Sequence, residues 1–522
     1  MLINPKPNNL PIGISTFKDI IDNHFIYVDK TPHAFQLINK EKGYYFLSRP
    51  RRFGKSLFLD TLKCIFEGKK ELFEGLYIDD KWNWNQQYPV IKISFGVSNS
   101  ITELIANIFS LIKQNQKKFD ITLHNTEDYA LCFEELIQVI HQKHQKQVVI
   151  LIDEYDKPIL DFLDKTTLAI EARDILKRLY HVIKDNDQYI KFAFLTGVSK
   201  FAKVSIFSGL NNLEDISLDA DYATIAGYTQ KDIESSFAEH LKDVDLQKLK
   251  QWYNGYNFLG EDIYNPFDIL LFISKGGMYR NYWFGTGTPH FLIKLLQQKD
   301  YFIPQLENLV VDESIIDSFD IENLSIEPIL YQSGYLTINE VIDDERRLKF
   351  SLKLPNKEVK ISLNDLFIDY LTNQTLDKIK FQDNLYDALT KNDLESFKST
   401  LITLFSSIPY NNYVNNNIAH FEGYYSSVIY AYLASLGITI IAEDITNKGR
   451  IDLTIQLDHA IYIIEFKVGN ENALMQIIHK NYASKYLNDN KAIYLVGINF
   501  DSAERNITNF NYKQVKMTTR LV

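Results

Sequence analysis

The sequence has little of what secreted, membrane-bound or strongly basic proteins depend on. Its 522 residues include only two cysteines, Cys64 and Cys132, which excludes a disulfide framework and fits a reducing compartment. The N-terminus lacks the apolar core of a signal peptide, and no apolar run approaches the length that spans a bilayer. The net charge of −11 excludes a global basic field that would attract nucleic acid. We therefore expect a cytoplasmic protein without membrane contact, whose contacts with DNA or RNA would be local or metal-assisted.

The composition is that of a folded protein with large cores. Hydrophobic residues make up 45% of the chain and charged residues 24%, which excludes a disordered chain. A single hydrophobic core rarely serves more than about 300 residues. We therefore expect roughly two or three domains.

The segment Tyr45–Leu59 has the pattern of a nucleotide-binding loop. An apolar strand is followed by a short polar loop that ends in Gly54-Lys55-Ser56, and then by a helical run from Leu57. In such a P-loop, Lys55 reaches the β- and γ-phosphates, the Ser56 hydroxyl is a ligand of Mg²⁺, and backbone N–H groups around Gly54 bind the anion. The alternative for Gly-Lys-Ser alone is an ordinary helix N-terminus. The general pattern also asks for glycine where this chain has Arg49.

Two later strands support the nucleotide interpretation. Val148–Asp156 contains five consecutive aliphatic residues, typical of a central parallel strand, and then Asp153 and Glu154. The first carboxylate is expected to hold Mg²⁺ and the second to orient or deprotonate the attacking water. Thr196 ends the next buried strand, Ile190–Gly197, where it can sense the γ-phosphate. Strands that alternate with helices predict a parallel α/β sheet with helices on both faces, and ligands of such sheets bind at the carboxyl ends of the strands.

These motifs together resemble a known family. Arg49-Pro-Arg-Arg-Phe-Gly-Lys-Ser56, Tyr27-Val-Asp-Lys30 and Ile152-Asp-Glu-Tyr-Asp-Lys-Pro158 are similar to the bacterial AAA-ATPase-like family, which often carries a C-terminal PD-(D/E)xK nuclease-superfamily domain. In that family the arginine-rich loop is usual, so Arg49 departs from the general P-loop but not from this family. The resemblance extends to Leu195–Lys200, Trp252–Gly255, Tyr264–Pro266 and Gln332–Tyr335.

The resemblance implies ATP and Mg²⁺ as cofactors. The residues assigned to nucleotide binding are Arg49, Pro50, Arg51, Arg52, Phe53, Gly54, Lys55, Ser56, Leu57, Asp153 and Thr196. Hydrolysis also needs an arginine finger, and Arg49, Arg51 and Arg52 are the candidates. The alternative is that these arginines anchor neighbouring acidic residues. Many ATPases of this type take that arginine from a neighbouring copy, so homo-oligomer formation is left open.

The last part of the chain offers a second candidate site. Gly449–Gln456 and Ala460–Lys467 read as a hairpin, and Glu465 and Lys467 share one strand face because they are two residues apart. Asp452 comes from the other strand of the hairpin. Asp452 and Glu465 are expected to bind Mg²⁺, and Lys467 to lower the pKa of the attacking water or to stabilise the pentavalent charge during phosphodiester hydrolysis.

A solvated surface pair is the alternative for Glu-x-Lys alone. The wholly apolar Ile461–Ile464 argues against it, since this strand is then covered on both faces and unpaired charge is costly there. The spacing from Asp452 to Lys467 also resembles the PD-(D/E)xK pattern of the companion domain, over roughly residues 410–515. Glu422, on a preceding helix with an amphipathic pattern, can complete the metal shell, and Gln476 and Tyr482 can position the site or a phosphate.

The sequence therefore predicts a P-loop ATPase-like domain over residues 1–225, a mostly helical middle region over 226–400 and a restriction-endonuclease-like α/β domain over 401–522. The leading hypothesis is an ATPase whose nucleotide state controls a Mg²⁺-dependent nuclease acting on DNA or RNA. One alternative is a nucleotide-dependent switch or sensor that binds nucleic acid or a partner without cutting. Another is a scaffold in which both sites are relics.

Overall fold

The computed structural model describes residues 10–200, 212–284, 302–316, 320–322, 325–374, 376–409 and 422–515. The chain divides into two compact units, residues 1–291 with 311–350 and residues 292–310 with 351–522. The predicted three-part division stays a prediction. Within the described ranges, no helix is long and apolar enough to cross a membrane. Residues 285–289, the end of an aromatic segment that begins at Tyr282, and His420 and Phe421, which precede Glu422, lie outside the described residues.

A parallel five-stranded sheet forms the centre of the first unit. The aliphatic run of the third strand is completely buried, as expected for a strand with helices on both faces. Leu47 pairs with Thr196 and Ser94 pairs with Asp153, so the polar strand ends lie along one edge. In the order β2-β3-β4-β1-β5, the strands are β1 Gly43–Ser48, β2 Val90–Ser94, β3 Val148–Asp153, β4 Ile190–Gly197 and β5 Glu214–Asp215.

Helices cover this sheet and make up most of the remaining structure of the first unit. Several begin at side chains that accept a hydrogen bond from the first turn, among them Ser100, Asp128 and Thr229. The α-helices are α1 Phe17–Asp22, α2 Thr31–Ile38, α3 Lys55–Phe66, α4 Ile101–Lys118, α5 Tyr129–His144, α6 Lys157–Leu160, α7 Thr166–Asp185, α8 Gln230–Ser236, α9 Leu246–Tyr253, α10 Pro266–Ser274, α11 Glu313–Ile316 and α12 Ile326–Ser333. Short 3₁₀ helices lie at Lys70–Phe73, Asp187–Tyr189 and Ala220–Tyr222.

A small sheet follows in the chain. Its strands are β6 Val310–Asp312, β7 Thr337–Asp343 and β8 Leu348–Lys353, and β8 is central.

The second unit is built on a mixed five-stranded sheet in the order β13-β12-β11-β10-β9. The predicted hairpin is present, because β10 and β11 pair antiparallel with Leu453 opposite Ile464. Strand β11 pairs in parallel with β12 on its other side. The strands are β9 Thr439–Thr446, β10 Gly449–Gln456, β11 Ala460–Val468, β12 Ala492–Asp501 and β13 Asn506–Gln514.

The helices of the second unit pack around this sheet and against each other. The α-helices are α13 Lys357–Thr372, α14 Lys378–Thr390, α15 Leu394–Ser407, α16 Glu422–Ser435 and α17 Ala473–Lys480, with 3₁₀ helices at Ile303–Asn308 and Tyr482–Tyr486. Helix α16 corrects one expectation. The sequence pattern predicts an amphipathic helix, but every residue from Tyr424 to Ser435 is buried, since α13, α14 and the sheet pack around it. Its tyrosines tolerate this burial because their hydroxyls bond inside the unit, as Tyr430 does to Glu307 at 2.8 Å.

Close approach of helix α17 to strand β12 requires a glycine at position 497. A Cβ atom added there would lie 2.2 Å from the Leu474 backbone nitrogen, and backbone cannot move aside cheaply. We expect Gly497→Ala to lower the free energy of unfolding by at least about 1–3 kcal/mol, measured by denaturant or thermal unfolding. Gly96→Ala is the matched control, because nothing lies within 4 Å of its added Cβ. Equal stability of the two variants would contradict this packing.

Candidate nucleotide site and candidate nuclease site

The lysine of the first site is held by the loop that precedes it. Lys55 Nζ donates hydrogen bonds to the carbonyl oxygens of Arg49 at 2.8 Å and Pro50 at 2.9 Å. Burial lowers the pKa of Lys55 to about 8, an effect that the nearby carboxylates of Asp153 and Asp156 oppose. The loop enters helix α3 through Gly54, whose φ of +92° favours glycine. The carbonyl oxygens of the loop thus hold the Lys55 ammonium.

Arg49, which replaces the usual glycine, turns its side chain away from this loop. Its guanidinium donates to the carbonyl oxygens of Ser48 at 2.9 Å, Ser217 at 2.7 Å and Tyr222 at 3.2 Å, and lies 4.0 Å from the ring centre of Phe258. It is 1% exposed, and burial lowers its pKa to about 10, so it remains charged near neutral pH. Arg49 is not part of the cavity wall described below, and its assignment to nucleotide binding stays a prediction. Arg49 instead anchors the start of the loop.

A cavity of about 500 Å³ lies beside the loop. Its walls come from an N-terminal arm (residues 11–30), the loop and first turn at 51–58, and residues within 154–160, 225–228 and 266–270. Of the predicted nucleotide-site and catalytic residues, those in the wall are Arg51, Arg52, Phe53, Gly54, Lys55, Ser56, Leu57 and Glu154. Those not in the wall are Arg49, Pro50, Asp153 and Thr196.

The predicted carboxylates and threonine lie at the carboxyl ends of β3 and β4. Asp153 is 4% exposed and accepts a hydrogen bond from the Glu154 backbone. Glu154 has a φ of +52°, which turns it out of the strand, and its side chain lines the cavity. Partial burial and then the charge of Asp153 raise the pKa of Glu154. Thr196 Oγ1 is buried and has no hydrogen-bond partner among the described residues.

Asp156 is a site residue that the strand and loop patterns alone do not single out. It is fully buried, and its Oδ2 accepts hydrogen bonds from the backbone N–H groups of Val198 at 3.0 Å and Ser199 at 2.6 Å. Burial raises its pKa to about 6. A Cβ at Gly197 would lie 2.4 Å from Asp156 Oδ1, so the glycine permits this contact. A signal for Asp156 is present in the sequence, since it belongs to the Ile152–Pro158 motif.

Residues far along the chain hold two further loop carbonyls. Trp283 Nε1 donates to the Arg51 carbonyl at 3.2 Å, and Asn265, of the Tyr264–Pro266 motif, donates to the same oxygen at 3.5 Å. The Gly227 backbone donates to the Phe53 carbonyl at 3.0 Å. Trp283, Asn265 and Gly227 are far from the loop in the sequence and reach it only through the fold of the first unit. The spacing of residues in the sequence could therefore not reveal these contacts.

The second site forms on β10 and β11 of the second unit. Asp452 Oδ2 accepts a hydrogen bond of 2.7 Å from the Phe466 backbone, which brings it beside Glu465. Lys467 Nζ lies 3.5 Å from Glu465 Oε1 and 3.6 Å from Glu422 Oε1. Gln476, on helix α17, donates to Glu465 Oε1. The predicted residues Asp452, Glu465, Lys467 and Glu422 are therefore together, with Gln476 beside them.

Crowding of charge in this site shifts the proton affinities of its members. Burial, and for Glu465 also the neighbouring Asp452, raises the pKa of both carboxylates. Burial alone would lower the pKa of Lys467, but the carboxylates of Asp452, Glu422 and Glu465 raise it instead. Glu465 is 1% exposed, and its Oε2 has no hydrogen-bond partner among the described residues. A buried carboxylate oxygen without a donor is the kind of atom that binds a cation. Among the described residues, however, no group of three or more His, Cys, Asp and Glu side chains is arranged to hold a metal ion, so Mg²⁺ binding by Asp452, Glu465 and Glu422 stays a prediction.

Comparison with known proteins finds a family model over each of the two sites. Residues 11–207 match a family model described as a predicted AAA-ATPase. Residues 420–510 match a model of the PD-(D/E)XK nuclease superfamily. The first range contains the arginine-rich loop, Asp153 and Thr196, and the second contains Asp452, Glu465 and Lys467.

A bacterial relative matches almost the whole chain. The "Uncharacterized protein in vnfD 5'region" of Azotobacter chroococcum is 44% identical over 510 residues, which cover 96% of this chain and 98% of that protein. A component of the nuclease SbcCD of Staphylococcus aureus is 28% identical over 163 residues, 30% of this chain and 15% of that protein. The DNA-bound Orc1 protein of Aeropyrum pernix aligns over 65% of this chain and 93% of that chain at 11% identity and a TM-score of 0.29, a likeness that carries no argument.

The anchoring of the loop by Arg49 is testable by substitution. Arg49→Ala removes the donor to three backbone carbonyls, two of them outside the loop, and each buried acceptor left without a donor costs about 1–3 kcal/mol. We expect a lower melting temperature and weaker ATP binding, measured by thermal unfolding and titration calorimetry. Arg49→Met tests the hydrogen bonds separately, because it retains an apolar side chain against Phe258. Wild-type stability and affinity in both variants would contradict the anchor.

Proposed function

The chain belongs to the predicted AAA-ATPase family and carries a C-terminal PD-(D/E)XK nuclease-superfamily domain, and from this premise we propose that it binds and hydrolyses ATP to control Mg²⁺-dependent cleavage of nucleic acid. The observation that carries the proposal is the constellation of Asp452, Glu465 and Lys467 on one sheet face. Charged groups this closely packed are costly unless they serve a site.

At the nucleotide site, the proposed roles follow from positions in the cavity wall or at the carboxyl ends of β3 and β4. The Lys55 ammonium exchanges its carbonyl partners for the β- and γ-phosphates, and helix α3 directs its N-terminal N–H groups at the same anion. Ser56 and Asp153 would hold Mg²⁺, which neutralises phosphate charge. Glu154 would orient the attacking water and accept its proton, a role supported by its position in the cavity wall. Thr196 offers a hydroxyl without a partner among the described residues to the region of the terminal phosphate.

At the nuclease site, the acidic residues and the lysine have different proposed roles. Asp452, Glu465 and Glu422 would hold Mg²⁺, which supplies Lewis-acid stabilisation of the phosphodiester. Lys467 places positive charge where the attacking oxygen and the pentavalent phosphate develop negative charge. Gln476 keeps the Glu465 carboxylate oriented through its amide. Substitutions that remove the contact between Lys467 and the carboxylates should therefore lower the cleavage rate while the protein remains folded.

Removal of the loop lysine tests the nucleotide assignment. Lys55→Ala deletes the group expected to pair with the β- and γ-phosphates, so we expect ATP binding to fall below detection in titration calorimetry. The control is Lys157→Ala, because Lys157 lines the same cavity but its ammonium already pairs with Asp161. Comparable binding by Lys55→Ala and wild type would refute the assignment.

Cleavage assays test the second site. With Mg²⁺ or Mn²⁺ and ATP present, we expect the wild type to cut DNA or RNA, and Lys467→Ala or Glu465→Gln to reduce the rate by about 10²-fold or more. Lys480→Ala, a substitution of a lysine at the exposed end of α17, is the control for a general loss of positive charge. If the wild type cuts neither DNA nor RNA under any of these conditions, the nuclease assignment fails. A nucleotide-dependent switch that binds without cutting then remains.

A further inference from the structure

The cations that line the nucleotide cavity differ in whether a partner already holds them. Lys30 pairs with Asp232 at 2.9 Å, and Lys157 pairs with Asp161. Lys55 is held by loop carbonyls. Its proposed role is to bind the β- and γ-phosphates. A group that stabilises charge on the transferred phosphoryl must be available when that charge develops, so a cation already in an ion pair is a poor candidate.

Two arginines in the cavity wall remain, and their surroundings differ. The Arg52 guanidinium lies over the ring of Phe267 in the cavity wall, 4.7 Å from the ring centre. The Arg51 side chain is exposed at the cavity and makes no ion pair among the described residues. Its backbone is fixed all the same, because Trp283 and Asn265 both donate to its carbonyl. Arg51 thus combines a fixed main chain with a guanidinium available to bind an anion.

Arg51 shares the cavity wall with the groups that are proposed to react. Lys55, Ser56, Arg51 and Glu154 all line one cavity, and all come from one chain. Arg51 and Lys55 come from the same loop, and Glu154 faces the same cavity from the end of β3.

We propose that Arg51 acts as an arginine finger in cis, placing its guanidinium on the terminal phosphate of ATP bound by the same chain. This inference rests on the proposed ATPase function. In the step, the water oxygen forms a bond to the γ-phosphorus and the bond from that phosphorus to the bridging oxygen breaks. The water proton passes to Glu154 and then to solvent, and the products are ADP and inorganic phosphate. Arg51 stabilises the charge on the γ-phosphate oxygens throughout, so hydrolysis needs no arginine from a second copy.

The test combines Arg51→Ala with a complementation experiment in the full-length protein. We expect Arg51→Ala to retain ATP binding within about tenfold and to lose about 10³-fold or more in phosphate release, the range measured for arginine fingers. Arg280→Ala, at an exposed arginine outside the cavity, should hydrolyse ATP like the wild type. A thermal melt like that of the wild type shows that Arg51→Ala is folded.

Complementation separates action within one chain from action between chains. When Arg51→Ala and Lys55→Ala chains are co-expressed and purified together through two tags, each chain lacks one essential group of its own site. Action within one chain predicts no more turnover than the single variants show. Recovery of a substantial fraction of the wild-type rate, or unimpaired hydrolysis by Arg51→Ala alone, would overturn the inference and leave the ATPase proposal standing. Failure of the wild type to bind or hydrolyse ATP would overturn both.

Discussion

The backbone carbonyls of the loop between β1 and α3 are the constraint on which the nucleotide site depends. A chain that turns sharply from a buried strand into a helix leaves its carbonyl oxygens without strand or helix partners, and burial makes each unmet acceptor costly. Here the Lys55 ammonium binds the carbonyls of Arg49 and Pro50, Trp283 and Asn265 bind that of Arg51, and Gly227 binds that of Phe53. The loop conformation is therefore set by groups from much of the first unit.

This constraint explains why arginine is accepted where glycine is usual. Glycine at that position allows backbone to approach a phosphate. In this chain, the side chain at position 49 leaves the loop and donates to the carbonyl oxygens of Ser217 and Tyr222 next to β5, so it does not line the cavity. Arginine at position 49 does not allow the close backbone approach that glycine allows, but it provides a charged anchor for the loop. Arg51 and Lys55 can then supply at the cavity the positive charge that Arg49 does not.

The elements and the outline of both sites could be predicted, because local patterns determine them. Five aliphatic residues before Asp153 define a buried strand and its carboxyl end, and Glu465 and Lys467 share a face by the alternation of side chains in a strand. The direction of Arg49 could not be predicted, since its partner Ser217 is 168 residues away, and Trp283 lies 232 residues from Arg51. Helix α16 departs from its prediction for a related reason: its polar residues suggest a solvent face, but tyrosine and serine hydroxyls can be buried when neighbouring elements supply partners.

The two sites share one physical feature, buried charge that lacks a full set of partners. Lys55 has a lowered pKa and Glu465 a raised one, so each is less stable in its charged form than it would be in water, and a bound phosphate or cation respectively would restore that charge. The central claim is that occupation of the first site controls cleavage at the second. It is tested most directly by measuring the initial rate of Mg²⁺-dependent cleavage of a labelled nucleic acid by the wild type without nucleotide, with ATP and with ADP. The account predicts rates that differ between ATP and the other two conditions, with no difference in Lys55→Ala, whereas the same rate in all three conditions for the wild type would contradict it.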